Sequence, residues 1–284
     1  MSFSFLQKIN TMRNTLLILL ASAAAFPAVA GAQTASPLTS FRLTTANYTQ
    51  NFDSLATSGT SNSLPAGFQI VESGTGSAAD GMYAAATGSA NGGTAYSFGS
   101  ASSTDRALGS IASGTVGPIM FGGVFTNGLT SNITSLSFGY FGEQWRQGTT
   151  TDPLTFEYST NATSLDSGTW VRASELDFAA LLTGTAAALD GNAAGNRALI
   201  TGTISGLSIG AGGNFGFRWT DINGENNDAG LGIDNLNITA GLGGAVAPAP
   251  AVPEPATWGL MVLGLGMTGG ALRRRQGRQR LAIA

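Results

Sequence analysis

The central part of the chain, residues 38–240, is expected to fold as an all-β sandwich, and three observations carry that expectation. No helical period runs through it. Short stretches alternate apolar and polar residues, and Gly, Ser, Asn and Asp break them at intervals of about ten to fifteen residues. The composition agrees: 41 of 284 residues are glycine and only 10% are charged, with 43% hydrophobic residues available for a core.

Taken in chain order, the first element is not part of that sandwich. Residues 14–25 read NTLLILLASAAA, an apolar run preceded by Lys8 and Arg13 and followed by Ala28-Val29-Ala30 and Ala30-Gly31-Ala32. A basic lead, an apolar helix and a small-residue cleavage site are the parts of a secretory signal peptide, assigned to residues 1–32. Cleavage by signal peptidase after Ala30 or Ala32 follows, with translation starting at Met1 or Met12.

The clearest strand is 133–146, in which Leu136, Phe138 and Tyr140 point one way and Ser135, Ser137 and Gly139 the other. Leu154, Phe156 and Tyr158 form a second stripe, and Phe215, Phe217 and Trp219 a third. The three stripes are assigned to the core between two facing sheets. Alanine-rich residues 179–189 are the one stretch expected to form a short helix. Near the end, Leu231 and Ile233 share one parity while Leu236 and Ile238 share the other, so a β-bulge is expected at Asp234-Asn235.

Residues 241–252 read as a Pro/Ala/Gly linker. Beyond it come Pro253-Glu254-Pro255, an apolar run at 256–272 and the cluster Arg273-Arg274-Arg275. At about 1.5 Å per residue the run is about 25 Å long, the short limit for a membrane helix. Arginines after it keep the tail cytoplasmic and the domain outside. The formal GxGxxG at Gly264–Gly269 lies inside this run and follows no strand, so it is not a dinucleotide site.

The order of Pro253-Glu254-Pro255, Ala256-Thr257-Trp258, helix and arginine cluster resembles the PEP-CTERM sorting signal of Gram-negative bacteria. That resemblance implies an exosortase partner that processes the tail, and a destination at the cell surface or in the extracellular matrix. This chain departs from the pattern at Gly259, where alanine is frequent, and in the longer tail 276–284.

Absences exclude much chemistry. Cysteine and histidine are missing and the one lysine is Lys8, so disulfides, zinc sites of the usual kind, imidazole triads and lysine-based catalysis are ruled out for the exported chain. Between residues 33 and 252, six arginines stand against fifteen carboxylates, a net charge of −9 that repels nucleic acid.

Two constellations remain. Asp221, Asn223, Glu225, Asn227 and Asp228 gather oxygen ligands around Gly224, the type of set that calcium takes; an Asn/Asp turn bonding its own backbone is the alternative. Glu143, Trp145 and Arg146, with Arg218 and Trp219, provide the aromatic faces and bidentate donors that sugars need. Their alternative, and the favoured one, is internal: a buried Glu143–Arg218 pair with both tryptophans in the core. Glu143 with Glu157 would be the carboxylates of a glycosidase, the least favoured reading.

The blocks Glu143-Gln144-Trp145-Arg146, Leu189-Asp190-Gly191-Asn192, Phe217-Arg218-Trp219-Thr220-Asp221 and Gly232-Ile233-Asp234-Asn235 resemble a domain of secreted bacterial proteins. That resemblance implies a jelly-roll-like antiparallel sandwich, similar to carbohydrate-binding and laminin-G-like modules, with no activity attached. The expected protein is therefore an exported, non-catalytic surface or matrix protein that interacts with extracellular polysaccharide. A calcium-stabilised adhesin that binds no sugar is the alternative.

Overall fold

A computed structural model describes residues 40–245. The chain divides into two units, Met1–Thr34 and Ala35–Ala284, and the described residues belong to the second. The expected signal helix, the membrane helix at 256–272 and the residues Pro253, Glu254, Pro255, Arg273, Arg274 and Arg275 lie outside them.

The alternating stripes form two sheets. In the seven-stranded sheet the order is β1 (Phe41–Leu43), β8 (Ile119–Asn127), β15 (Asn214–Asp221), β10 (Pro153–Ser159) and β11 (Val171–Arg172). There β4 (Phe68–Glu72) also joins β8, and β12 (Phe178–Ala179) joins β10. In the nine-stranded sheet the order is β13 (Ala187–Ala188), β9 (Ser131–Gln147), β16 (Gly230–Ala245), β7 (Ala107–Ile111), β6 (Thr94–Phe98), β5 (Tyr83–Ala86) and β3 (Thr60–Ser61). Here β14 (Arg197–Ile209) also flanks β9, and β2 (Asn47–Gln50) flanks β16.

The core lies where the expected stripes meet. Leu136, Phe138 and Tyr140 on β9 face Leu154 and Phe156 on β10 and Phe215, Phe217 and Trp219 on β15, all buried. Phe138 closes on Phe156 at 5.0 Å and on Phe217 at 5.4 Å, both edge-to-face, the arrangement that the ring quadrupole favours. Tyr140 meets Trp219 at 5.1 Å. Tyr158, at the end of its stripe, is only half-buried.

The bulge falls where the parity change placed it. Asp234 pairs with Phe141 and Asn237 with Gly139, so β16 spends one residue more than β9. Asn235 takes it up at φ 51°, a left-handed conformation that asparagine tolerates better than most residues. Leu231, Ile233, Leu236 and Ile238 thereby all reach the core.

Three expectations need correction. Residues 179–189 form no helix. They contribute to β12 and β13, because the buried Gln144 accepts the Leu181 and Leu182 N–H groups and donates to the Leu182 carbonyl, which holds the segment extended. The strand β16 runs on to Ala245, into the expected linker, pairing Leu242 with Ile133 and Ala245 with Ser131 on the long strand β9. The sheets are also not wholly antiparallel: β1 runs parallel to β8, and β5 to β6.

Alternation does not account for a second cluster, formed by Tyr96, Phe98, Ala107, Ile111 and Trp145. These residues lie on the parity opposite to the core, on the outer side of the nine-stranded sheet, yet all are buried. Ala84, Ala86 and Ala90 pack against them. Gly191 comes so close that an added Cβ would stand 2.3 Å from Trp145 Nε1, and one at Gly88 would meet the Trp145 carbonyl. Loops 87–93 and 190–192 therefore roof this part of the sheet.

Candidate functional site

The roof decides the fate of Glu143, Trp145 and Arg146. Trp145 is 1% exposed and its ring is parallel to that of Phe98, with centroids 6.2 Å apart, so it offers no platform to a sugar. Glu143, also 1% exposed, accepts a hydrogen bond from Trp145 Nε1 at 3.0 Å. Arg146 donates to the carbonyl of Gly88 and so ties down the roof. The three residues are neighbours, but they are spent on internal packing.

The expected Glu143–Arg218 pair does not form, because the two residues sit on different sheets. Arg218 reaches Glu157, its cross-strand partner on β10, at 2.8 Å, and its guanidinium lies 4.1 Å from the Trp170 ring centroid. Glu143 faces Arg197, its register partner on β14, at 4.0 Å. Glu143 and Glu157, offered above as a glycosidase pair, are thus on separate sheets and do not flank one cleft.

Arg197 and Asp234 were missing from the sequence reading of this group. Glu143 pairs with Gly232, which makes Asp234 its diagonal neighbour on the same face. Burial, then the nearby Asp234 carboxylate, push Glu143 up to about 8. Burial raises Asp234 to about 7. Glu143 Oε1 and Asp234 Oδ1 are buried without a hydrogen-bond partner. Parity would have put both acids on one face, but only the pairing of β16 beside β9 makes them neighbours.

The acidic loop does not close around one point. Asp221 continues the inward parity of Phe215, Phe217 and Trp219, and accepts a hydrogen bond from the Ser110 hydroxyl on the facing sheet at 2.7 Å. Burial raises it to about 7. Asn223, Glu225 and Asn227 are exposed. Asp228 accepts from the Gly224 N–H and leaves Oδ2 buried without a partner. Asp152, which the sequence reading omitted, crowds Gly224 from the neighbouring loop and lies against Asp228. Among the described residues no group of three or more acidic side chains is arranged to hold a metal ion.

Away from the roof the outer face of the nine-stranded sheet is open, and two rows of uncharged residues, all polar but Gly139, cross it. Thr203, Ser137, Thr239 and Asn47 are successive register partners on β14, β9, β16 and β2. Thr201, Gly139, Asn237 and Thr49 form the next row. Ser137 bonds Thr203 at 2.9 Å, and Thr239 donates to Asn47 at 3.0 Å. Where the second row meets the bulge there is a surface cleft of about 440 Å³, lined by Thr49, Gln50, Asn51, Asn235, Leu236 and Asn237.

The rest of the chain carries its own signal. Residues 251–275 match the model of the PEP-CTERM protein-sorting motif. With the sandwich, this defines the chain as a β-sandwich protein bearing an export and surface-sorting signal. Among the described residues no helix is long and apolar enough to cross a membrane. No curated protein matches the chain in sequence.

Solved structures are similar at low identity. The K3 cleaved adhesin domain of Lys-gingipain from Porphyromonas gingivalis W83 is 14% identical, over 62% of this chain and 93% of that one, with a TM-score of 0.37. TmCBM61, solved with β-1,4-galactotriose, is 11% identical over 50% and 74%, with a TM-score of 0.27. The CBM22-1–GH10 modules of Clostridium thermocellum xylanase 10B, solved with xylohexaose, are 14% identical over 71% and 28%, also with a TM-score of 0.27.

Proposed function

We propose that the mature protein is a non-catalytic module of the cell surface or extracellular matrix that interacts with neutral polysaccharide through the open outer face of its nine-stranded sheet. The observation that carries this reading is the pair of uncharged rows on four adjacent strands, Thr203-Ser137-Thr239-Asn47 and Thr201-Gly139-Asn237-Thr49. Hydroxyls and amides both donate and accept, which suits the hydroxyls of a glycan. The net charge of −9 between residues 33 and 252 disfavours anionic chains. Processing of the tail by exosortase, with prior removal of residues 1–32 by signal peptidase, belongs to the same reading.

Affinity electrophoresis of the purified chain through gels containing laminarin, dextran or galactomannan tests it. Retardation by at least one neutral polymer, and none by alginate, is expected. Migration unaffected by every neutral polymer would refute the reading.

A further inference from the structure

We infer that the cleft at the Asp234-Asn235 bulge is the subsite that holds one neutral sugar unit. This rests on the polysaccharide reading and names its point of contact. The cleft is lined on its exposed side by Thr49, Asn51, Asn235 and Asn237, and none of these carries charge.

Their hydrogen bonds decide what each one has left to offer. Asn235 Nδ2 donates to Asp234 Oδ2 at 2.7 Å, which leaves Asn235 Oδ1 to act as an acceptor. Thr239 gives its one hydroxyl proton to Asn47 at 3.0 Å and stands 3.4 Å from Asn237 Oδ1, so Asn237 offers both its Oδ1 as an acceptor and its Nδ2 as a donor. Among the described residues Thr49 Oγ1 has no side-chain hydrogen bond, so it can serve in either sense. Asn51 is clamped by Asp53, giving its Nδ2 proton to Asp53 Oδ2 at 2.6 Å and receiving the Asp53 N–H on Oδ1.

The Asn235 acceptor, the Asn237 amide and the Thr49 hydroxyl line one cleft and match adjacent hydroxyls of a sugar ring, each of which donates once and accepts. Because the Asn235 amide is held by Asp234 and the Asn51 amide by Asp53 before the ligand arrives, these two lose little ordering entropy on binding. Gly139 leaves the floor beside Asn237 open: an added Cβ there would meet only Thr201, at 3.7 Å. On the next row Phe141, half-buried, presents an aromatic ring with the Arg197 guanidinium 4.7 Å from its centroid. Asp53 beside the cleft disfavours carboxylated or sulfated sugars, and the unit taken is a neutral hexose or pentose within a polymer.

The bulge creates this arrangement. In an unbroken strand Asn235 would share the inward parity of Ile233; the extra residue brings it to the outer face beside Asn237.

The test compares the wild-type chain with Asn237→Ala, Thr49→Val and Asn235→Gly, and with Ser205→Ala on the same sheet outside the cleft as a control. Each is run against laminarin, dextran, galactomannan and alginate, with a thermal midpoint for each variant. Asn237→Ala and Asn235→Gly should weaken retardation by the neutral polymer about tenfold, the loss of one neutral hydrogen bond in each case. Ser205→Ala should not change it, and the midpoint of Asn237→Ala should match wild type. If the wild type is retarded and Asn237→Ala, Thr49→Val and Asn235→Gly are retarded equally, the cleft is not the site, although the polysaccharide reading stands. If no neutral polymer retards the wild type, that reading fails and the subsite with it. Tighter binding to alginate would overturn the preference for a neutral sugar. Should Asn235→Gly fold poorly because Asp234 loses its amide partner, the two exposed variants still decide.

Discussion

Two aromatic clusters sit on opposite faces of the same strand, and they were not equally visible. On β9 the inner cluster uses Leu136, Phe138 and Tyr140, while the outer one uses Trp145, with Glu143 and Phe141 on the same side. The inner cluster is a matter of periodicity: every second residue is apolar, and the facing sheet covers it. The outer cluster is a matter of coverage. Its residues alternate as though exposed, and become core only because loops 87–93 and 190–192 return over them. The lesson is that parity tells which face a side chain takes, but not whether that face is wet.

The comparison can be broken at its inner side first. Phe156→Ala removes a fully buried ring that touches both Phe138 and Trp219, and should cost about 3–5 kcal/mol. Chemical denaturation should then show a severely lowered midpoint or no cooperative transition; a neutral result would mean that the two sheets do not meet at this residue.

The outer side is tested by Gly191→Ala, whose new methyl would clash with the Trp145 indole. A loss of about 1–3 kcal/mol is expected, the usual range for overpacking, together with a red-shifted tryptophan emission as the ring is displaced. Unchanged emission and stability would show that the roof yields freely and that the outer cluster is not a packed core.

A pH titration sharpens the difference, since two buried acids, Glu143 and Asp234, lie on the outer side and one, Asp221, on the inner side. Glu143, at about 8, and Asp234, at about 7, lie well above the ordinary carboxylate range near 4 that they recover on unfolding. A folded value raised above the unfolded one gives stability that is complete below about pH 4 and is lost as the pH climbs through the folded value. Asp221, at about 7, acts in the same sense. The thermal midpoint should therefore fall between about pH 5 and about pH 9. Glu143→Gln should flatten the fall on the alkaline side; an identical profile in that variant would remove Glu143 from the account.

Calcium should have the smallest effect. With Asp221 bonded inward to Ser110 and Asn223, Glu225 and Asn227 exposed, the loop offers no convergent set, and a millimolar rise in calcium should shift the midpoint no more than magnesium does. A larger, calcium-specific rise that disappears in Asp228→Asn would restore the loop as a site, with Asp152 as the ligand that the sequence reading left out.

Legibility followed the range of the interaction. The β-bulge was legible because Ile233 and Leu236 are close in sequence, and their parity clash has one local remedy. Its consequence was not, since the cleft needs β2 beside β16, and Thr239 reaches Asn47 across 192 positions. That Arg218 requires a buried partner is legible in the sequence, but whether Glu143 or Glu157 supplies it depends on which strands adjoin. The helix expected at 179–189 failed for a similar reason: alanine propensity is weak, and the buried amide of Gln144 outweighs it.

By itself the sequence determined the fold class, the inward aromatic stripes, the position of the bulge and the sorting motif of the tail, because each is written in residues a few positions apart. Tertiary structure alone decided which acid meets which arginine, that Trp145 is roofed while Asn237 is open, and where the uncharged rows line up. Those outcomes rest on strand order and loop return, and a period-two pattern is the same for every order in which its strands can be paired.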